Sequence, residues 1–197
     1  DVAAIALPAF SFSAGGPDFT VEKKTSRSLA PGTYGKVKVE KKATLRLRTG
    51  DYFVDELDTD RAATLIFDVP EGAVIVRVDD DLDIDREVEI VIAPGGVNGS
   101  ELVTLVSLQQ NKIDVGKYAR VLGTLIAPFA EVHFSGKTQF KGAAIADKGT
   151  VEEGVPFLHH LSPVSLLKAG ENIPLSPPSK GDLTEAIPSE FELAQNY

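Results

Sequence analysis

Cysteine, methionine and tryptophan are all absent from the 197 residues, and each gap narrows the field. Without cysteine there is no disulfide framework, no thiol nucleophile and no thiolate metal site. Without methionine, a chain that starts at Asp1 lacks its own initiator. Removal of a signal peptide or leader is therefore expected to have exposed Asp1, which points to a secreted protein at the cell surface. Long apolar runs are missing as well. Val2–Phe10 and Val121–Ala130 are each broken by proline and fall short of the roughly 20 residues that span a bilayer, so no transmembrane segment is expected. Asn-Gly occurs once, at Asn98-Gly99, and Asp-Gly not at all, which argues against a meander of two-residue turns.

Catalytic signatures are missing too. There is no Gly-x-Ser-x-Gly elbow, no P-loop, no Rossmann glycine pattern and no His-Glu-x-x-His, so a protein that is not an enzyme is expected. Positive charge is in short supply. A net charge of −9 argues against general nucleic-acid binding. Its distribution is blocky: Glu22–Arg48 carries +7, Thr49–Glu101 carries −12, Leu102–Ala146 carries +3 and Asp147–Tyr197 carries −5.

What the chain does have is short runs rich in Val, Ile and Thr, separated by Gly, Asp or Pro, from about Ser28 to His160. Alternation is clear in Val37-Lys38-Val39 and Leu45-Arg46-Leu47, and no run carries a helical stripe. The runs repeat. Pro31-Gly32-Thr33-Tyr34 returns as Thr49-Gly50-Asp51-Tyr52, Ala43-Thr44-Leu45 returns as Ala63-Thr64-Leu65, and Gly123-Thr124-Leu125-Ile126-Ala127 returns as Gly142-Ala143-Ala144-Ile145-Ala146. The spacing of 18 to 20 residues suits one three-sided coil of a solenoid. The expected fold is all-β, a right-handed parallel β-helix of about six short coils with ordered N- and C-terminal extensions. The competing fold is an antiparallel β-sandwich. The expected parts are an N-terminal extension over 1–25, the β-helix over 26–161 and a Pro-containing C-terminal extension over 162–197, with both extensions held against their own core or a neighbouring copy.

One set of residues carries a family likeness. Leu29-Ala30-Pro31-Gly32-Thr33-Tyr34, Ala43-Thr44-Leu45-Arg46-Leu47 and Gly50-Asp51-Tyr52-Phe53 are followed by Val74-Ile75-Val76-Arg77-Val78-Asp79, Gly123-Thr124-Leu125-Ile126-Ala127-Pro128 and Phe157-Leu158-His159-His160. Over Leu29 to His160 the chain resembles the β-helical domain of bacterial and archaeal surface and pilus-associated proteins, including cell-wall-anchored adhesin-like chains. It is more weakly similar, in style, to bactofilins. The resemblance implies display or adhesion and brings no catalytic residues. The sequence departs from the pattern at Asp80-Asp81, where a glycine is expected.

Three groups of residues are candidate sites. Asp81, Asp83 and Asp85 alternate with Leu82 and Ile84 and share an outer face. They offer hard oxygen ligands for calcium or form a solvated acidic face; no other cofactor is expected. Lys36, Lys38, Lys41 and Lys42 form a basic surface suited to an acidic cell-surface or matrix polysaccharide. The apolar Val2, Ile5, Leu7, Phe10 and Phe12 are candidate subunit contacts, donating a strand to the next copy in a homopolymer or capping their own chain. His133 is expected to point outward, and the His159-His160 pair to close the last coil. The leading expectation is a structural subunit of an extracellular filament or surface layer; the alternative is a monomeric adhesin-type module that binds glycan or a cell surface.

Overall fold

Val, Ile and Leu at every second position commit each run to a strand with one apolar side, and the computed structural model, which describes residues 11–93 and 99–159, stacks these runs into coils. The strands are β1 (Phe19–Val21), β2 (Ser26–Leu29), β3 (Gly32–Val39), β4 (Thr44–Leu47), β5 (Gly50–Thr59), β6 (Thr64–Asp68), β7 (Val74–Ile84), β8 (Glu89–Ala93), β9 (Val103–Ser107), β10 (Ile113–Val115), β11 (Arg120–Phe134), β12 (Gln139–Val151) and β13 (Phe157–His159). A 3-10 turn, Ser100–Leu102, precedes β9. Each strand pairs in parallel with the strand one coil away, so the chain is a parallel β-helix of about six turns and not an antiparallel sandwich. Parallel ladders begin at Phe19, ahead of the expected boundary at residue 26. The C-terminal extension lies outside the described residues.

Three faces enclose one core. The first holds β2, β4, β6, β8, the starts of β11 and β12, and β13. The second holds the front halves of β3, β5 and β7, then β9 and the middles of β11 and β12. The third holds β1, the rear halves of β3, β5 and β7, then β10 and the ends of β11 and β12. Inward positions are filled by residues such as Leu45, Leu65, Phe67, Ile90, Leu125 and Phe134, all essentially inaccessible to solvent. Each contributes roughly 1.5–3 kcal/mol by burial.

The corner from the third face to the first repeats in every coil. Lys24, Lys42, Ala62, Glu87, Tyr118 and Lys137 each take a left-handed φ near 60°. In five of these turns a tight hydrogen bond closes the corner, as from the Ala43 N–H to the Glu40 carbonyl at 2.8 Å and from the Ala63 N–H to the Asp60 carbonyl at 3.0 Å. The residue after the left-handed position is small or β-branched, and Ala43, Ala63, Val88, Ala119 and Thr138 are buried there. Neighbouring corners are bonded to one another: the Lys42 N–H donates to the Arg61 carbonyl, Ala62 to Arg86, and Glu87 to Lys117.

Two of the three sequence repeats coincide with the true register, pairing Thr44 with Thr64 and Gly123 with Gly142. The third is displaced by two residues: Tyr52 pairs with Gly32, and Tyr34 pairs with Val54. What recurs there is a local device. The Tyr34 hydroxyl donates to the Ala30 carbonyl at 2.7 Å and the Tyr52 hydroxyl to the Arg48 carbonyl at 2.9 Å, so each ring closes its own corner. Tyr52 is fully enclosed, and burial pushes its hydroxyl up to about 12.

The middle coils are longer. Ser26, Thr44 and Thr64 follow one another at 18 and 20 residues, but Glu89 comes 25 residues after Thr64 and Arg120 a further 31 on. At Asp79-Asp80, just ahead of and overlapping the Asp80-Asp81 pair where a glycine is expected, β7 carries one more residue than β5 between paired positions, a bulge at the corner from the second face to the third. In the next coil this corner is taken by a side chain. Gln109 is 4% exposed; its Oε1 accepts from the Leu82 N–H at 2.7 Å and from the Ser107 hydroxyl at 3.1 Å.

Candidate functional site

The charge blocks of the sequence fall on successive coils and become ion pairs between them. On the third face Lys36 meets Glu56 at 2.7 Å and Lys38 meets Asp58 at 3.0 Å; on the first, Arg46 meets Asp68 at 2.6 Å. Hydrogen bonds to Glu56 and Asp58 hold both lysines above their ordinary range. Exposed pairs of this kind are worth only about 0–1 kcal/mol each, but they engage Lys36 and Lys38. Lys41 and Lys42 stand apart, at the corner, with no ion pair among the described residues.

Asp81, Asp83 and Asp85 lie on the outer side of the third face, with Leu82 and Ile84 buried between them. Asp83 stacks between Asp58, its register partner, and Asp114, which precedes the residue paired with Ile84. Its carboxyl is pushed up to about 6, first by loss of hydration and then by the like charges of Asp58, Asp85, Asp81 and Asp114. Burial pushes Asp114 the same way, but hydrogen bonds from Lys112 and His133 outweigh it and hold Asp114 low. His133 does point outward, with Nδ1 2.7 Å from Asp114 and Nε2 3.4 Å from Glu152. Among the described residues no three carboxylate or imidazole groups converge as metal ligands.

Val2, Ile5, Leu7 and Phe10 lie outside the described residues, as does His160, whereas Phe12 packs edge-on against Phe53 of its own chain, with ring centroids 6.3 Å apart. Residues just beyond it lie on the first coil, where the Pro17 carbonyl accepts from the Gly35 N–H and the Asp18 carboxylate from the Lys36 N–H.

A groove that sequence reasoning missed opens on the first face. β6 and β8 stay in register over five residues, but β8 and β11 share only the pair Glu89 and Arg120. Past that pair the strands part, leaving a cavity of about 300 Å³ lined by Val91, Leu122, Arg120, Gln139, Lys141 and neighbouring residues. Its one carboxylate among the described residues, Glu89, lies 3.5 Å from the Arg120 guanidinium. Beside the groove, the third-to-first corner carries Arg86, Lys117, Tyr118 and Lys137, with the Lys137 ammonium 5.5 Å from the Tyr118 ring. The only sequence signal for this site is the cation after each acid or small residue that opens a corner, and those positions are spread over coils of unequal length.

Over residues 11–106, slightly under half of the chain, the sequence is similar to a family described as Domain of unknown function (DUF7305). The similarity ends within β9, so only the β8 side of the groove falls inside it. No curated protein matches the chain, and no solved structure does.

Proposed function

We propose that this chain is a non-catalytic binding module displayed on a cell surface, acting as a monomer through its outer faces. The observation that carries this reading is the treatment of the first coil. Arg27 pairs in register with Leu45, so it occupies a core-facing column; its guanidinium donates to the Thr20 carbonyl at 2.8 Å and lies 4.3 Å from the Phe19 ring. An inward-facing charge on an end coil blunts edge-to-edge strand pairing. The groove supports binding over turnover, since among the described residues its one carboxylate is matched by Arg120 and has no second acid beside it. Resemblance to β-helical domains of surface and pilus-associated proteins supports display.

A second reading, a filament subunit assembling head to tail, draws on the other end. Past Gly142, β12 pairs only with β11 among the described residues, and its core-side Ala144 and Val151 are exposed. Sedimentation velocity with negative-stain microscopy separates the two. A single monomeric species with saturable glycan binding supports the module, whereas fibres that vanish when Asp1–Ser13 is removed establish the filament and overturn the module.

A further inference from the structure

We infer that the parted first face, together with the corner beside it, is a binding site for a linear acidic polysaccharide such as a uronate chain. The inference rests on the binding-module reading and names the ligand class and the residues. Three successive coils build the site. One supplies Arg86, Glu89 and Val91, the next Lys117, Tyr118, Arg120 and Leu122, and the third Lys137, Gln139 and Lys141; the pairings of Glu89 with Arg120 and of Arg120 with Gln139 align them.

Three acids on this side are matched by a cation one coil away, Glu87 by Arg61 at 2.7 Å, Asp68 by Arg46 at 2.6 Å and Glu89 by Arg120 at 3.5 Å, while Asp85 and Glu153 at the corner make no ion pair among the described residues. Arg86, Lys117, Lys137 and Lys141 make no ion pair among the described residues. Four cations outside any ion pair thus share one side of a protein whose net charge is −9. On the third face Asp58, Asp83 and Asp114 stack in consecutive coils and would repel a polyanion, which favours approach from the groove side. Successive coils present their cations about 4.8 Å apart, comparable to the advance of a pyranose ring along a glycan chain.

Tyr118 adds an argument that does not depend on charge. It is a bulky residue at a φ of 63°, where such side chains are outliers, and 53% of its surface is exposed. The backbone geometry is shared with Lys24, Lys42, Ala62, Glu87 and Lys137, but Tyr118 is the one aromatic among these corner residues. An open ring flanked by Lys117 and Lys137 offers a flat apolar surface for the C–H side of a sugar, while the cations take its carboxylate. Val91 and Leu122 continue that apolar surface into the groove, and Gln139 and Lys141 supply donors at its rim.

Affinity electrophoresis of the full chain in gels containing polygalacturonate, with dextran as the neutral control, tests the proposal. The protein should be retarded by polygalacturonate alone, less so at high salt. Tyr118→Asn and Lys141→Ala should each weaken binding about tenfold, while Lys148→Ala on the third face leaves it unchanged. Asparagine is at ease in the left-handed region, so a thermal melt for Tyr118→Asn at or above the parent's separates lost binding from lost folding. Unchanged retardation of both variants overturns the site and leaves the module standing. Retardation by dextran alone overturns the acidic ligand class. Absence of binding to either polymer, with fibres in the microscope, overturns both the site and the module.

Discussion

Asp83 is surrounded by its own sign. Asp58, Asp81, Asp85 and Asp114 all raise its carboxyl, and the nearby cations Lys38 and Lys112 are committed to Asp58 and Asp114, the latter also bonded by His133. A carboxyl raised to about 6 in the folded chain, against an ordinary value of 3.8, binds its proton more tightly folded than unfolded. The stability this confers is fully present below pH 3.8 and is lost as pH rises through 6. Asp83→Asn should therefore melt higher than the parent at pH 7.5, by roughly 1 kcal/mol after allowing for the solvent that reaches the carboxylate, and should match it at pH 4. Melting curves at the two pH values check this. Gln109 makes the opposite case, a buried polar side chain whose removal strands a partner. Gln109→Ala takes the acceptor from the Leu82 N–H and should cost about 1–3 kcal/mol, read as a lower denaturant midpoint.

Strands and corners differ in how much of themselves they write into sequence. At the corner from the first face to the second, Gly142 has a φ of 149°, and a Cβ there would strike the Gly123 carbonyl of the coil below. Gly142→Ala should cost about 2–4 kcal/mol, measured by chemical denaturation. That glycine column was legible, and the register of Gly123 on Gly142 followed from it directly. The opposite corner was not. Its left-handed positions are filled by Lys24, Lys42, Ala62, Glu87, Tyr118 and Lys137, which range over four residue types, because the constraint lies in stacked backbone hydrogen bonds. Alternation identified the faces of Lys36, Lys38, Asp81, Asp83 and His133, since period two is all that inside and outside require. It gave no account of Lys36 meeting Glu56, which depends on the coil length. The groove was hidden for the same reason: its residues meet only because one coil runs 31 residues between Glu89 and Arg120.

For the molecule as a whole, the proposed monomeric module rests on the first coil. Arg27→Leu replaces the inward-facing charge with an apolar group above Leu45 and should convert a monomer into a species whose sedimentation coefficient rises with concentration. Unaltered sedimentation would mean that Arg27 does not guard that end.

In a stack where each coil touches only its neighbours, strength is set by the poorest junction. The coils holding β8 and β11 meet on the first face through Glu89 and Arg120 alone, and on the third through Val115 and Ile84 alone; only β7 and β9, on the second, run together for any length. Pulled along its axis, the β-helix should yield there first. Tension on a tethered copy would then widen the groove before it unravels either half.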